Sequence, residues 1–156
     1  MRTLILYATK YGATREIAGR IADKLGGAVL YDLKQDDVPA LGDFDCVIIG
    51  SSLYAGSIRK EAKAFLAKHP KQLHGKKFGL FLSGMAKSDE RKYFKDNFPA
   101  DILQGVTATC FAGGIFDPQK ANGMERLIMK AVTKQSGYVD AIDDGAISQF
   151  AALMTI

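Results

Sequence analysis

This chain has little that would anchor, crosslink or metallate it. Its apolar runs, such as Thr3 to Ala8 and Cys46 to Ile49, fall far short of the ~20 residues a membrane-spanning helix needs. The N-terminus also lacks the basic-then-apolar order of a secretory leader, so the expected location is cytoplasmic, with a peripheral position at the inner face of the membrane as its variant. There are only 2 cysteines and 2 histidines. Cys46 and Cys110 each sit inside an apolar, strand-like run without a partner at metal-ligand spacing, and both are expected in the core. His69 and His74 flank Pro70 in a lysine-rich connection, the pattern of a surface loop and not of a metal or catalytic centre. No repeat or low-complexity stretch divides the 156 residues, and one domain is expected over 1–156. No dense basic block interleaved with aromatics is present, which argues against nucleic acid as a partner. The net charge of +4 favours anionic partners instead.

What is present is an alternation of strand and helix patterns. Thr3 to Ala8 (TLILYA) reads as a strand buried on both faces, and from Thr14 the apolar positions Ile17, Ala18, Ile21, Ala22 and Leu25 recur at helical spacing before Gly26-Gly27. Ala28 to Leu33 gives a second strand, Phe44 to Gly50 (FDCVIIG) a third, and a helix follows from about Ile58 to Lys68. Lys77 to Leu82 is a fourth strand, Ser88 to Leu103 a helical stretch broken at Pro99, and Thr107 to Phe116 a fifth strand. This order implies a parallel sheet with helices on both faces, in which ligands bind beyond the carboxyl ends of the strands. Three small-residue loops fall at those ends: Thr9 to Thr14, Ser51 to Gly56, and the stretch beginning at Ser83-Gly84.

The first loop leads into a helix N-terminus, where unpaired N–H groups and the helix dipole suit an anion. Gly12 lets the backbone curl around a phosphate, the Thr9 and Thr14 hydroxyls are placed to donate to it, and Lys10 either adds charge or points to solvent. Thr14 as a simple N-cap is the alternative. A Walker loop would need Gly-Lys-Ser/Thr and a dinucleotide fingerprint Gly-x-Gly-x-x-Gly, and neither is there. Phosphoacceptor chemistry of the receiver type would need acidic residues where Thr9-Lys10 and Gly50-Ser51 stand.

With these loops in register the chain resembles the flavodoxin family over essentially its whole length. That resemblance implies an α/β fold, a flavodoxin-like three-layer sandwich whose five-stranded parallel sheet has the order 2-1-3-4-5, binding FMN at the switch point. The family's phosphate loop is similar to Thr9, Gly12 and Thr14 here, while Tyr11 stands where a small hydroxyl residue is usual. The resemblance implies that Thr9, Lys10, Tyr11, Gly12, Ala13 and Thr14 hold the phosphate. Ser51, Ser52, Leu53, Tyr54, Ala55 and Gly56 would flank the isoalloxazine ring, with Ser83, Gly84, Met85 and Ala86 as the third loop. Tyr54 is the candidate to stack on the ring, or else a partly buried loop anchor. Gly56 is a peptide whose carbonyl, turned toward flavin N5, would stabilise the reduced ring. No side chain stands out as an acid, base or nucleophile, and the chemistry would belong to the flavin.

An insert over about 117–137 departs from a minimal flavodoxin. Within it Met124, Leu127, Ile128, Ala131 and Val132 form an apolar stripe, and Arg126, Lys130 and Lys134 fall at i, i+4 and i+8 on another face. Such a basic amphipathic helix either packs on the domain or docks an anionic substrate or membrane surface. Val139 to Ile142 then reads as a continuation of strand five, with a closing helix from about Asp144 to Met154. The insert and the Thr-x-x-Gly-x-Thr loop together resemble the menaquinone-dependent protoporphyrinogen IX dehydrogenases. That implies oxidation of protoporphyrinogen IX with a quinone acceptor, with a flavodoxin-type electron carrier between reductase and acceptor, or a non-redox binding module, as alternatives.

Overall fold

Alternation along the central strands decides which side chains face each layer of helices. In β1 (Thr3–Ala8) every residue is buried; Leu4, Leu6 and Ala8 join one apolar cluster, while Ile5 and Tyr7 join the other. β3 (Cys46–Tyr54) divides in the same way, with Val47 and Ile49 on the first face and Cys46 and Ile48 on the second. A strand with both faces covered can be apolar at every position, which is why these runs lack the polar alternation of a half-exposed strand.

The computed structural model describes residues 1–35, 37–133 and 137–156. Its main sheet adds β2 (Val29–Asp32), β5 (Lys77–Ser83) and β6 (Ala108–Phe111) in the spatial order β2-β1-β3-β5-β6, all parallel, with the short β4 (Ser57–Ile58) paired antiparallel to β3. Leaving aside the hairpin strand β4, this is the expected 2-1-3-4-5 order. α1 (Ala13–Lys24) buries Ile17, Ala18 and Ile21 on the second face beside Ile147, Phe150 and Met154 of α7 (Asp144–Thr155). α2 (Lys60–Lys68) covers the first face with Ala62, Phe65 and Leu66. It is joined there by Leu73 of α3 (Pro70–Leu73), Phe94 of α4 (Glu90–Asn97) and Ile102 of α5 (Ala100–Gly105). Each fully buried Leu, Ile or Phe of these layers contributes on the order of 1.5–3 kcal/mol by leaving water. Gly50 has a packing reason: a Cβ there would lie 2.0 Å from Phe81 Cζ, so its absence makes room for the ring. Cys46 and Cys110 are buried free thiols in the sheet; burial pushes the Cys110 thiol up to about 12. Among the described residues no helix is long and apolar enough to cross a membrane.

Three features differ from the sequence reading. Ser51 to Tyr54 are not loop but the end of β3: Ser51 pairs with Ala8 and Leu82, Ser52 with Ser83, and Tyr54 with Ser57 across a two-residue turn. Regular fifth-strand pairing stops at Phe111; Ala112 N–H and the Gly113 carbonyl still bond to Leu82 and Gly84, and Gly113, at φ 73°, turns the chain out of the strand. Beyond it, β7 (Ile115–Phe116) and β8 (Val139–Asp140) form a separate antiparallel pair, so Val139 onward does not continue strand five. That pair is the stem from which the insert helix α6 (Gly123–Thr133) projects.

Candidate functional site

The carboxyl ends of β1, β3 and β5 open into a cavity of about 480 Å³, within the range that holds small-molecule cofactors. All three expected loops reach it. Thr9, Lys10, Tyr11 and Ala13 come from the first, Ser52, Leu53, Tyr54, Ala55 and Gly56 from the second, and Ser83, Met85 and Ala86 from the third. Gly12, Thr14, Ser51 and Gly84 lie outside this lining.

Those four residues build the loops. Gly12 is the N-cap of α1, and its N–H is bound by Thr9 Oγ1 at 2.9 Å, so the Thr9 hydroxyl closes the turn. Thr14 is one residue inside the helix and caps nothing, which removes the N-cap alternative. Ser51 Oγ accepts from Arg59 N–H and donates to the Ser52 carbonyl, both at 2.9 Å, tying the end of β3 to the start of α2. Gly84 N–H donates to the Gly113 carbonyl at 2.9 Å and fastens the third loop to the base of the insert.

Two hydroxyls at this end of the sheet are buried without a partner: Thr14 Oγ1 and Ser52 Oγ. An orphaned buried hydroxyl costs roughly 1–3 kcal/mol, and each such group in a folded protein calls for an explanation. A polar ligand at the start of α1 supplies one, since the first-turn N–H groups of a helix have no acceptor within the helix and attract an anion. The lining is also aromatic. Tyr54 is 39% exposed and has Lys10 Nζ 4.3 Å from its ring centre, while Tyr93 lies against Phe111 at 6.1 Å with ring planes 18° apart. Both tyrosines line the cavity. A planar aromatic ligand with a phosphate-bearing tail fits this arrangement.

Sequence reasoning missed the far wall, which the insert supplies. Ile115 and Phe116 of β7, with Ala121, Glu125 and Met129, line the cavity opposite the loops. Glu125 is central. Its backbone N–H is accepted by Asn122 Oδ1 at 2.8 Å and its Oε1 accepts from Asn122 N–H at 3.0 Å, a reciprocal cap on α6. The same carboxylate pairs with Lys10 Nζ at 2.9 Å and accepts from the Tyr11 hydroxyl. Lys120 Nζ adds a contact to the Tyr11 carbonyl at 3.4 Å. Tyr11, the odd residue of the first loop, is therefore the insert's docking partner. Asn122-x-x-Glu125 was the visible signal, a capping pattern at the start of a helix.

With Glu125 latched to the first loop, the described part of the expected apolar stripe of α6 faces outward. Glu125 and Met129, four residues apart, face the cavity, and Met124 and Leu127 are 62% and 68% exposed. Arg126 and Lys130 are exposed as expected, with Arg126 Nε held by the Pro118 carbonyl at 2.9 Å. Lys134 and the side chains of Ile128 and Val132 lie outside the described residues.

Burial opposes the charge on Glu125, but the Asn122 N–H, the Tyr11 hydroxyl and Lys10 outweigh it and lower its pKa from the ordinary 4.5. Lys10 is shifted up from 10.5, chiefly by its bond to Glu125. A depressed carboxylate stabilises in full above 4.5 and loses that contribution as pH falls through its folded value. A raised ammonium does so in full below 10.5 and loses it at higher pH. The latch is thus intact across the neutral range and opens in acid. Glu125→Gln is expected to speed hydrogen exchange of the α6 amides at pH 7 and to flatten the acid dependence of that exchange, after correction for intrinsic rates. Identical protection in both proteins down to acid pH would show that the carboxylate holds nothing.

The flavodoxin domain pattern matches residues 4–142 of the chain. Protoporphyrinogen IX dehydrogenase [quinone] of Escherichia coli (strain K12) is 25% identical over 148 residues, covering 88% of this chain and 81% of that protein. Among solved structures, a short-chain flavodoxin associated with a non-canonical PDU bacterial microcompartment superposes with a TM-score of 0.62 at 20% identity, over 99% of this chain and 97% of that one. Oxidised flavodoxin 1 from Bacillus cereus gives 0.59 at 15% identity, over 99% and 97% of the two chains. With three loops around one cavity, two orphaned hydroxyls and a domain match over most of its length, the chain belongs to the flavodoxin-domain family, and FMN is the cofactor that goes with that membership.

Proposed function

We propose that this FMN-binding redox protein is an oxidoreductase that removes hydrogens from protoporphyrinogen IX, or a closely similar flat, carboxylate-bearing reduced tetrapyrrole, and passes the electrons to a quinone. The observation that carries the reading is the insert: β7 and α6 form a second wall of the cavity, latched to the first loop through Glu125. A carrier that meets only protein partners needs its flavin edge exposed, whereas a wall containing Ile115, Phe116 and Met129 suits an apolar molecule laid beside the ring. The similarity to the Escherichia coli dehydrogenase supports the same choice.

Bound FMN supplies the redox chemistry, accepting and releasing electrons with protons. This chain's residues place and shield it. Thr9, Gly12 and Thr14 shape the phosphate end, with the first turn of α1 offering N–H groups. Tyr54 and Tyr93 provide ring faces, and the insert limits water on the far side. Lys92 at the mouth, with Arg126 and Lys130 on α6, offers cations for substrate carboxylates or an anionic surface nearby.

The test is anaerobic mixing of purified, FMN-loaded protein with protoporphyrinogen IX and a quinone, read by porphyrin fluorescence. Turnover well above an apoprotein control is the expected result, and none above that control would overturn the enzyme reading. The likeness of the whole chain to short flavodoxins supports a second reading, a one-electron carrier. That reading expects cycling with a partner reductase and no porphyrin formation.

A further inference from the structure

The turn between β3 and β4 is held from behind. Ala55 (φ 50°) and Gly56 (φ 81°) are its two central residues, and both line the cavity. Consecutive left-handed residues make the tight hairpin turn that matches strand twist. Glycine carries little steric restriction, so the Gly56–Ser57 peptide has more than one orientation open to it on backbone grounds. A side chain selects one. Asn97, the last residue of α4, donates from Nδ2 to the Gly56 carbonyl at 2.8 Å and to the Tyr93 carbonyl at 2.8 Å, while its Oδ1 accepts from Ile58 N–H at 2.9 Å. Tyr93 lines the cavity, but Asn97, one turn further along the helix, does not. The Gly56 carbonyl is therefore aimed at α4.

We infer that Asn97 is a positioning residue for the redox behaviour of the site: by pinning the Gly56 carbonyl toward α4 it withholds a hydrogen-bond acceptor from flavin N5 and so disfavours the half-reduced ring. The inference rests on the FMN-dependent reading above. Half reduction of a flavin takes up one electron and one proton, and the proton sits on N5. The second electron enters a ring that already carries N5–H. An acceptor facing N5 thus raises the first one-electron potential and leaves the second nearly unchanged, which populates the half-reduced form. With the acceptor withheld, electrons move in pairs: a dihydro donor loses two electrons and two protons, and a quinone gains two of each to become a quinol. The clamp favours the paired chemistry over one-electron shuttling, and it separates the two functional readings by a measurable property.

Two variants and two readouts test it. Asn97→Ala removes all three hydrogen bonds. Asn97→Asp keeps the acceptor for Ile58 N–H but sets a carboxylate oxygen against the Gly56 and Tyr93 carbonyls. In the apoprotein, ¹⁵N relaxation dispersion at the Ser57 amide is expected to be flat in the wild type and to show exchange in both variants. In the FMN-loaded protein, stepwise anaerobic reduction should give an equilibrium constant for forming the half-reduced from the oxidised and fully reduced forms about fivefold higher in the variants, on the scale of one hydrogen bond, and so a half-reduced to fully reduced ratio at midpoint about twofold higher. The first potential should rise and the second stay in place. A purely structural role for Asn97 would move stability without separating the two potentials. Variants that bind FMN with the wild-type ratio, or a Ser57 amide as quiet as the wild type's, would overturn the inference. Failure of every form to bind FMN would remove the FMN-dependent reading and the redox half of the inference with it, while the apoprotein dispersion still decides whether Asn97 holds the turn.

Discussion

Gly113→Ala is expected to destabilise the fold by about 2–5 kcal/mol, adding the left-handed backbone penalty to that of overpacking. A Cβ at this position would stand 2.0 Å from the Ala141 carbonyl oxygen, 2.9 Å from its carbon and 3.3 Å from Asp143 N, at φ 73°. All three are backbone atoms, so no side-chain rotation relieves the clash. Asp143 is also the N-cap of α7, accepting from Ala146 N–H at 3.0 Å, and its own N–H binds the Ala112 carbonyl at 2.9 Å. Gly113 therefore sits where the end of β6, the return of the insert and the start of the last helix meet. Its carbonyl holds Gly84 N–H of the third loop, so weaker FMN binding should accompany the loss of stability. Urea unfolding measures the first effect as a lower midpoint at unchanged slope. Gly19→Ala is the control: it lies within α1 with nothing within 4 Å of the added Cβ, and it should gain up to ~1 kcal/mol. A Gly113→Ala midpoint indistinguishable from wild type would mean that this junction yields easily.

Thr14→Ala is expected to weaken FMN binding by about 1–3 kcal/mol, roughly five- to 150-fold in Kd, the scale of a hydrogen bond to a charged group. Thr14 is fully buried, its Oγ1 has no partner, and it lies in the first turn of α1. A hydroxyl lost from a pair would destabilise the apoprotein. This one is orphaned, so apoprotein stability should change far less than cofactor affinity. Thr14→Ser, which keeps the hydroxyl, should restore most of the affinity. Quenching of FMN fluorescence on titration with apoprotein gives the Kd values. Equal affinity for Thr14→Ala and wild type would show that the hydroxyl does not meet the phosphate.

The first loop was legible because its chemistry is local. A strand, a Thr-x-x-Gly-x-Thr turn and a helix follow one another in the chain, and Gly12 falls at the cap where such a turn needs it. Tyr11 was legible only as an exception. Its partner Glu125 lies 114 residues away, and no local pattern pairs a loop tyrosine with a helix cap in a distant insert. The orientation of α6 was not legible, for a related reason. Periodicity locates a helix and an apolar side, but which side meets the domain was settled by a half-buried carboxylate with three donors around it, Lys10 Nζ, the Tyr11 hydroxyl and Asn122 N–H, against exposed Met124 and Leu127. The end of β3 was misjudged because small residues suggest loops, while Ser51 and Ser52 stay in register with β5.

Taken by itself, the sequence determined a layered parallel fold and the small-residue loops at its strand ends, which follow from hydrophobic period, turn residues and the short-range rules of βαβ connection. Its strand order and cofactor class came through the resemblance to the flavodoxin family that those loops carry. Only the tertiary structure decided what closes over the cavity and how the turn between β3 and β4 is held. Glu125 upon Lys10 and Tyr11, Gly113 beneath Ala141, and Asn97 behind Gly56 are contacts between segments distant in sequence, chosen by the packing of the whole domain and leaving no periodic trace along the chain.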